Sequence, residues 1–168
     1  MWLRDALPKA FPTIRVILYG YDTKLFESSS FQTIADLGSN LARTLDAFGF
    51  TSPTAKPLMF LAHSLGGIVV KEALVGEHSI TRATIGSIFF GVPSRGMETQ
   101  ALMTMVNGQP NKNLVLDLAV GSEYLQCLDD RFFEVVRCGK MELFQGYETK
   151  TSLTVEVSTK LYCLQSTF

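Results

Sequence analysis

The stretch from Phe60 to Gly67, FLAHSLGG, follows the short apolar run PLM and leads into IVVKEAL. At its centre is Ser64, with Ala62 two residues before it and Gly66 two residues after. Such a pattern presents a nucleophilic serine when a strand passes into a helix through one tight turn, with the serine strained at the apex. The strand and helix backbones nearly touch there, so the flanking positions must be small. Ala62 stands where glycine is usual, and alanine is the next smallest residue. A helix that starts here turns its positive dipole end to the serine, and the backbone N–H of Leu65 becomes a donor to an oxyanion. A phosphate-binding loop does not fit, because no lysine directly follows the glycines and Lys71 is too far along the helix.

Outward from Ser64, Lys56 to Ala62 (KPLMFLA) reads as a strand, and the segment after the serine reads as a helix ending near Gly76. Earlier in the chain, Thr13 to Tyr21 (TIRVILYGY) is rich in β-branched and aromatic residues and predicts a buried strand, with Pro12 marking its start. Phe31, Ile34, Leu37, Leu41, Leu45 and Phe48 recur three or four apart, which is one helical face. Ser28 to Ser30 can supply the N-cap of that helix and Gly49 its stop. Later, Thr84 to Pro93 predicts a strand stopped by Gly91 and Pro93. A helix is expected around Thr99 to Val106. Another spans Ser122 to Val136, with Ser122 as cap and Leu125, Leu128, Phe132 and Val135 inward. KMELFQGY and SLTVEVST are the last two strand candidates. Strands that alternate with helices, in runs without strict polar alternation, predict an α/β fold with a parallel sheet covered by helices on both faces.

The chain of 168 residues is 46% hydrophobic and 18% charged, which makes it globular rather than disordered. Its net charge of -1 and the lack of a basic run argue against a nucleic-acid partner. The three cysteines, Cys127, Cys138 and Cys163, are scattered and odd in number, as expected of free thiols in a reducing compartment. No metal site or cofactor is expected. No apolar run approaches the roughly 20 residues that cross a bilayer. Arg4, Asp5 and Lys9 interrupt any secretory signal at the start. His63 is expected to pack or hydrogen-bond beneath the turn, and His78 to lie on the surface at the far end of the sheet.

Seven blocks occur in order: WLRDALP, ILYGYDTKLF, SFQTIADL, FLAHSLGGIVVKEAL, SIFFGVPSRGM, LDDRFFE and GYETK. Together, from about Trp2 to about Thr154, they resemble the serine-active-site, lipase-like domain of the α/β-hydrolase superfamily, found in phospholipid-remodelling proteins of animals and in many fungal proteins. The resemblance implies a serine esterase or lipase acting on a small-molecule or lipid ester, with Ser64 as nucleophile and no cofactor. It implies Glu148, in GYETK, as the triad acid; Asp129 and Asp130 are weaker alternatives, since a helix interior suits that role poorly. Ser94 stands where the family has a histidine. Peripheral membrane contact and an intracellular location (cytoplasmic, mitochondrial or endoplasmic reticulum) follow by analogy. Oligomeric state is not implied.

The resemblance also implies two further parts: an oxyanion strand with a His-Gly-rich loop ahead of WLRDALP, and a triad histidine after the last strand. Residues 1–158 are therefore expected to form an incomplete α/β-hydrolase domain, and 159–168 a divergent tail. The family strand ahead of WLRDALP lies between the strands matching IRVILYGY and LMFLA, so a slot is expected in the sheet. Loss of a triad member costs on the order of 10⁴ to 10⁶ in rate, and loss of an oxyanion donor a further 10² to 10³. On this reading the chain alone is inactive or weakly active. The alternative is a non-catalytic remnant that keeps the scaffold as an interaction module.

Overall fold

In the computed structural model, which describes residues 5–22, 24, 27–139 and 141–147, the helices and strands follow in this order. Helices α1 (Leu7–Ala10) and α2 (Ile34–Ala47) precede strand β1 (Leu58–His63). Helices α3 (Leu65–Gly76) and α4 (His78–Ala83) link it to β2 (Thr84–Phe90). Helices α5 (Gln100–Met105), α6 (Lys112–Asp117) and α7 (Glu123–Cys138) then lead to β3 (Glu142–Gly146). The sheet has the order β1-β2-β3, and both pairings are parallel. Parallel neighbours need crossovers rather than hairpins, and the helices between the strands supply them. This is an α/β fold, a parallel sheet flanked by helices.

Local chemistry sets the ends of α2. Thr33 is the N-cap and forms a capping box with Asp36: the Thr33 hydroxyl accepts from the Asp36 N–H at 3.2 Å, and Asp36 Oδ2 accepts from the Thr33 N–H at 2.9 Å. The Thr33 hydroxyl also donates to Asp36 Oδ2 at 2.7 Å, and the hydrogen bonds from the Thr33 N–H and hydroxyl hold the Asp36 carboxyl below its ordinary pKa. The cap is Thr33 rather than the expected Ser28–Ser30, because only Thr33 has an acidic partner three residues on. At the other end Gly49 has φ 72°, and the N–H groups of Gly49 and Phe50 return to the carbonyls of Asp46 and Leu45. A left-handed residue is needed there, which glycine adopts without strain. Ile34, Leu37, Leu41 and Leu45 face inward as their spacing predicts, whereas Phe31 and Phe48 fall outside the helix and are exposed.

The core lies between the sheet and α3. Val69, Val70, Ala73 and Leu74 of α3 meet Leu37, Leu41 and Leu45 of α2, Phe89 of β2 and Phe132 of α7. A second cluster joins Ile68 to Ile34, Met97, Leu118, Leu125 and Leu128. Burial of each large apolar side chain contributes about 1.5–3 kcal/mol before the entropy of ordering it. Phe60 and Ala62 of β1 pack on this core, while their strand neighbours Met59 and Leu61 are exposed on the opposite face. Phe90 and Phe144 are exposed as well. The expected cover on both faces is therefore corrected: among the described residues the packed helices share one face. Among the described residues no helix is long and apolar enough to cross a membrane.

The expected strand Thr13–Tyr21 is also corrected. These residues join no ladder, and Ile14, Val16, Ile17 and Leu18 are exposed. A strand is defined by its neighbours' hydrogen bonds, and among the described residues the sheet pairs β1 only with β2. The segment is nevertheless tied beside β1 at both ends. The Thr13 carbonyl accepts from Lys56 Nζ at 2.7 Å, and Tyr21 packs on the core. SLTVEVST and the tail 159–168 lie outside the described residues, as does Cys163; Cys127 and Cys138 are free and exposed.

At Gly38, α2 and α3 approach closely. A Cβ there would stand 2.6 Å from Glu72 Cγ and 3.1 Å from the Ala73 backbone nitrogen. Gly38→Ala is expected to destabilise the fold by about 1–3 kcal/mol. Gly76→Ala, which meets nothing within 4 Å, is expected to be neutral or slightly stabilising. Urea denaturation of the two variants checks the contrast.

Candidate functional site

β1 ends at His63 and α3 begins at Leu65, so the whole change of direction falls on Ser64. Ser64 has φ 51° and ψ -129°, a region that side-chain-bearing residues rarely enter. Two hydrogen bonds hold it there: its N–H donates to the Phe90 carbonyl at 3.0 Å, and its carbonyl accepts from the Gly67 N–H at 2.9 Å. The first of these extends the β1–β2 ladder by one residue. The Gly91 N–H then donates to the Gly146 carbonyl at 3.0 Å and does the same between β2 and β3. The ends of β1, β2 and β3 thus form one hydrogen-bonded rim at the carboxyl side of the sheet, with Ser64 on it.

The Ser64 side chain is half-buried and makes no capping hydrogen bond to α3. Leu65 is the first residue of α3, so its N–H has no acceptor within the helix. Helix dipole and free N–H together favour negative charge at this point. At Gly66 an added Cβ would make ordinary contacts, 3.5 Å to Tyr21 Oη and 4.0 Å to Ala62 Cβ. The tightest approach is one residue further on. A Cβ at Gly67 would fall 2.1 Å from Val92 Cγ2, so the chain leaving β2 passes directly over the first turn of α3. Burial, and then Tyr19, raises the Tyr21 pKa, so this phenol stays protonated beside Gly66.

A small cleft opens beside Leu65. Asp22, Lys24, Ser28, Gln32, Asn111 and Leu114 line it, and most of its exposed wall is apolar. His63 ends β1 on the open face and is exposed rather than packed beneath the turn. His78 is exposed at the start of α4, separated from Ser64 by the length of α3, about 18 Å. Glu148 lies outside the described residues; β3, which leads toward it, ends at Gly146 on the rim. Asp130 is exposed on α7. Asp129 is engaged elsewhere, in an ion pair with the buried Lys71 of α3. Sequence reading did not single out that pair, since a lone lysine on a helix gives no sign that it points inward.

No family model matches the chain. It is 27% identical to Protein SERAC1 of Bos taurus and of Homo sapiens over 160 residues, which covers 88% of this chain and 24% of each relative. The chain thus spans about a quarter of the length of the curated relatives it matches. Among solved structures it superimposes on phospholipase PlaB from Legionella pneumophila, in complex with thio-NAD, with a TM-score of 0.61 at 14% identity, over 76% of this chain and 28% of that one. The propeptide form of the Bacillus licheniformis lipase BlEst2 gives 0.50 at 21% identity, over 68% and 26%. The likeness read from the sequence is therefore present in three dimensions: the fold is of the kind found in lipase and phospholipase α/β-hydrolases.

Backbone strain at Ser64 has a measurable sign. A side-chain-bearing residue held in such a region costs about 1–3 kcal/mol. Ser64→Gly is expected to raise stability by about 1 kcal/mol, part of the relief being lost to glycine's chain entropy. Ser64→Ala keeps the Cβ and is expected to leave stability nearly unchanged. Denaturant midpoints of the two variants distinguish them, and a glycine variant less stable than wild type contradicts the strained turn.

Proposed function

We propose that this chain carries the nucleophile-bearing part of a serine hydrolase for lipid esters, with Ser64 as the nucleophile. The observation that carries the reading is the strained turn. It holds a half-buried serine hydroxyl at the rim of a parallel sheet, next to a helix N–H that has no partner within its helix. Attack by Ser64 Oγ on an ester carbonyl would place the new oxyanion near the Leu65 N–H, where the α3 dipole favours it. Ala62 and Gly66 are the small residues on either side of the turn.

Glu148 is the proposed acid, two residues past the end of β3. The likeness to SERAC1 and to lipase structures supports a lipid ester over a peptide as substrate. Action at an intracellular membrane surface, mitochondrial or of the endoplasmic reticulum, belongs to the same reading. No cofactor takes part, because acyl transfer to and from serine needs only a nucleophile, a base and oxyanion donors.

An alkyl fluorophosphonate probe tests the assignment. Labelling is expected at Ser64 and lost in Ser64→Ala, and Glu148→Gln is expected to slow it by about tenfold or more. A folded chain that takes no probe supports the non-catalytic scaffold instead.

A further inference from the structure

Lys71 lies two helical turns past Ser64 on α3, and its side chain is only 1% exposed. Its Nζ donates to Asp129 Oδ1 of α7 at 2.5 Å and to Ser94 Oγ at 2.7 Å. The ammonium stands 5.0 Å from the centre of the Phe132 ring and 5.9 Å from that of Phe89. Asp129 is 42% exposed, so the pair reaches water on one side only. Burial lowers the Lys71 pKa, and Asp129 only partly opposes this. A lysine that holds its proton less tightly when folded than when unfolded subtracts from stability at neutral pH, and the deficit shrinks as pH rises through its folded pKa. An apolar pair of the same volume is often at least as stable. Stability therefore gives no reason for a lysine here.

What the lysine does is join three parts of the fold. One is α3, whose N-cap is Ser64. The second is α7. The third is the rim loop from Gly91 to Met97, which carries Ser94. That loop is pressed on α3 where Val92 meets Gly67, and on the next segment where a Cβ at Gly96 would fall 2.2 Å from the Ala119 carbonyl oxygen. Ser94 lies between these two contacts, and Lys71 holds its hydroxyl.

We propose that Lys71 is a positioning residue: with Asp129 as its counter-ion, it anchors Ser94 and so keeps the rim loop seated on the first turn of α3, where Val92 fixes the corner that presents Ser64. The effect on reactivity rests on Ser64 being the nucleophile; the effect on the loop does not. A neutral side chain at 71 keeps the packing and releases the loop, so the corner samples more conformations. A small loss of alignment at a reacting centre costs about 10–100-fold in rate.

Lys71→Met in the full chain tests this with two readouts. The first is amide hydrogen exchange at Ser94 and Gly96, whose N–H groups bond to Val92 and Pro93. The second is the rate of Ser64 modification by a small fluorophosphonate, normalised to the folded fraction. Exchange at both amides is expected to accelerate by about tenfold or more, labelling to slow by about tenfold, and the denaturation midpoint to hold or rise. The double variant Lys71→Met/Asp129→Leu, which leaves no unpaired carboxylate, is expected to behave alike. Asp130→Asn, at the exposed neighbour, is expected to change neither readout. Unchanged exchange in both Lys71 variants overturns the anchoring. Faster exchange with unchanged labelling, or a labelling loss that merely follows a loss of folded protein, overturns the positioning role. A wild-type chain that takes no probe overturns the nucleophile reading, while the exchange data still decide whether Lys71 holds the loop.

Discussion

The hydrogen bond from the Ser64 N–H to the Phe90 carbonyl is the contact on which the rest of the structure depends. It obliges β1 to stay paired with β2 up to the last possible residue, so the chain has a single residue in which to turn from strand to helix. That requirement forces Ser64 into positive φ. It also brings the start of α3 under the exit of β2, which is why position 67 has no room for a side chain. Once α3 leaves at this angle, its apolar residues lie along the sheet. α2 and α7 then pack against the faces of α3 that the sheet leaves free.

Two features, one at the cap of α3 and one within it, subtract from stability, and they lie two turns apart. One is the strained backbone of Ser64, the other the buried ammonium of Lys71. Packing of α2, α3 and α7 around Phe89, Val69 and Leu74 offsets both. Natural chains keep such unfavourable features where geometry matters more than stability, and active sites are where they gather. The reading of Ser64 as a reactive group and of Lys71 as a support for it explains why they share one helix.

Much of this was legible in the sequence because the signals are local. The apolar runs of β1, β2 and β3 end at glycine, proline or serine, and each appears as a strand close to its expected bounds. Ser122 caps α7 as read, its hydroxyl accepting from the Leu125 N–H at 3.3 Å. The failures have the opposite cause. TIRVILYGY has the composition of a strand, but a strand also needs a partner, and composition says nothing about the neighbour. Phe31 and Phe48 continue the α2 spacing, yet the helix runs only from its cap Thr33 to Ala47, inside both. The capping box that decides this was present in the letters TIAD. Asp129, weighed as an acid for the serine, turns out to pair with Lys71 across 58 positions of sequence, a contact that no short motif could announce.

The central claim is that Ser64 crowns a one-residue corner whose geometry prepares it to react. A crystal structure of the chain after treatment with a small fluorophosphonate tests it most directly. The account expects a phosphonyl group on Ser64 Oγ, a positive φ at that residue, and one phosphonyl oxygen about 2.7–3.1 Å from the Leu65 nitrogen. An unmodified Ser64 with φ near the helical value of about -63°, or an adduct on another residue, would contradict it.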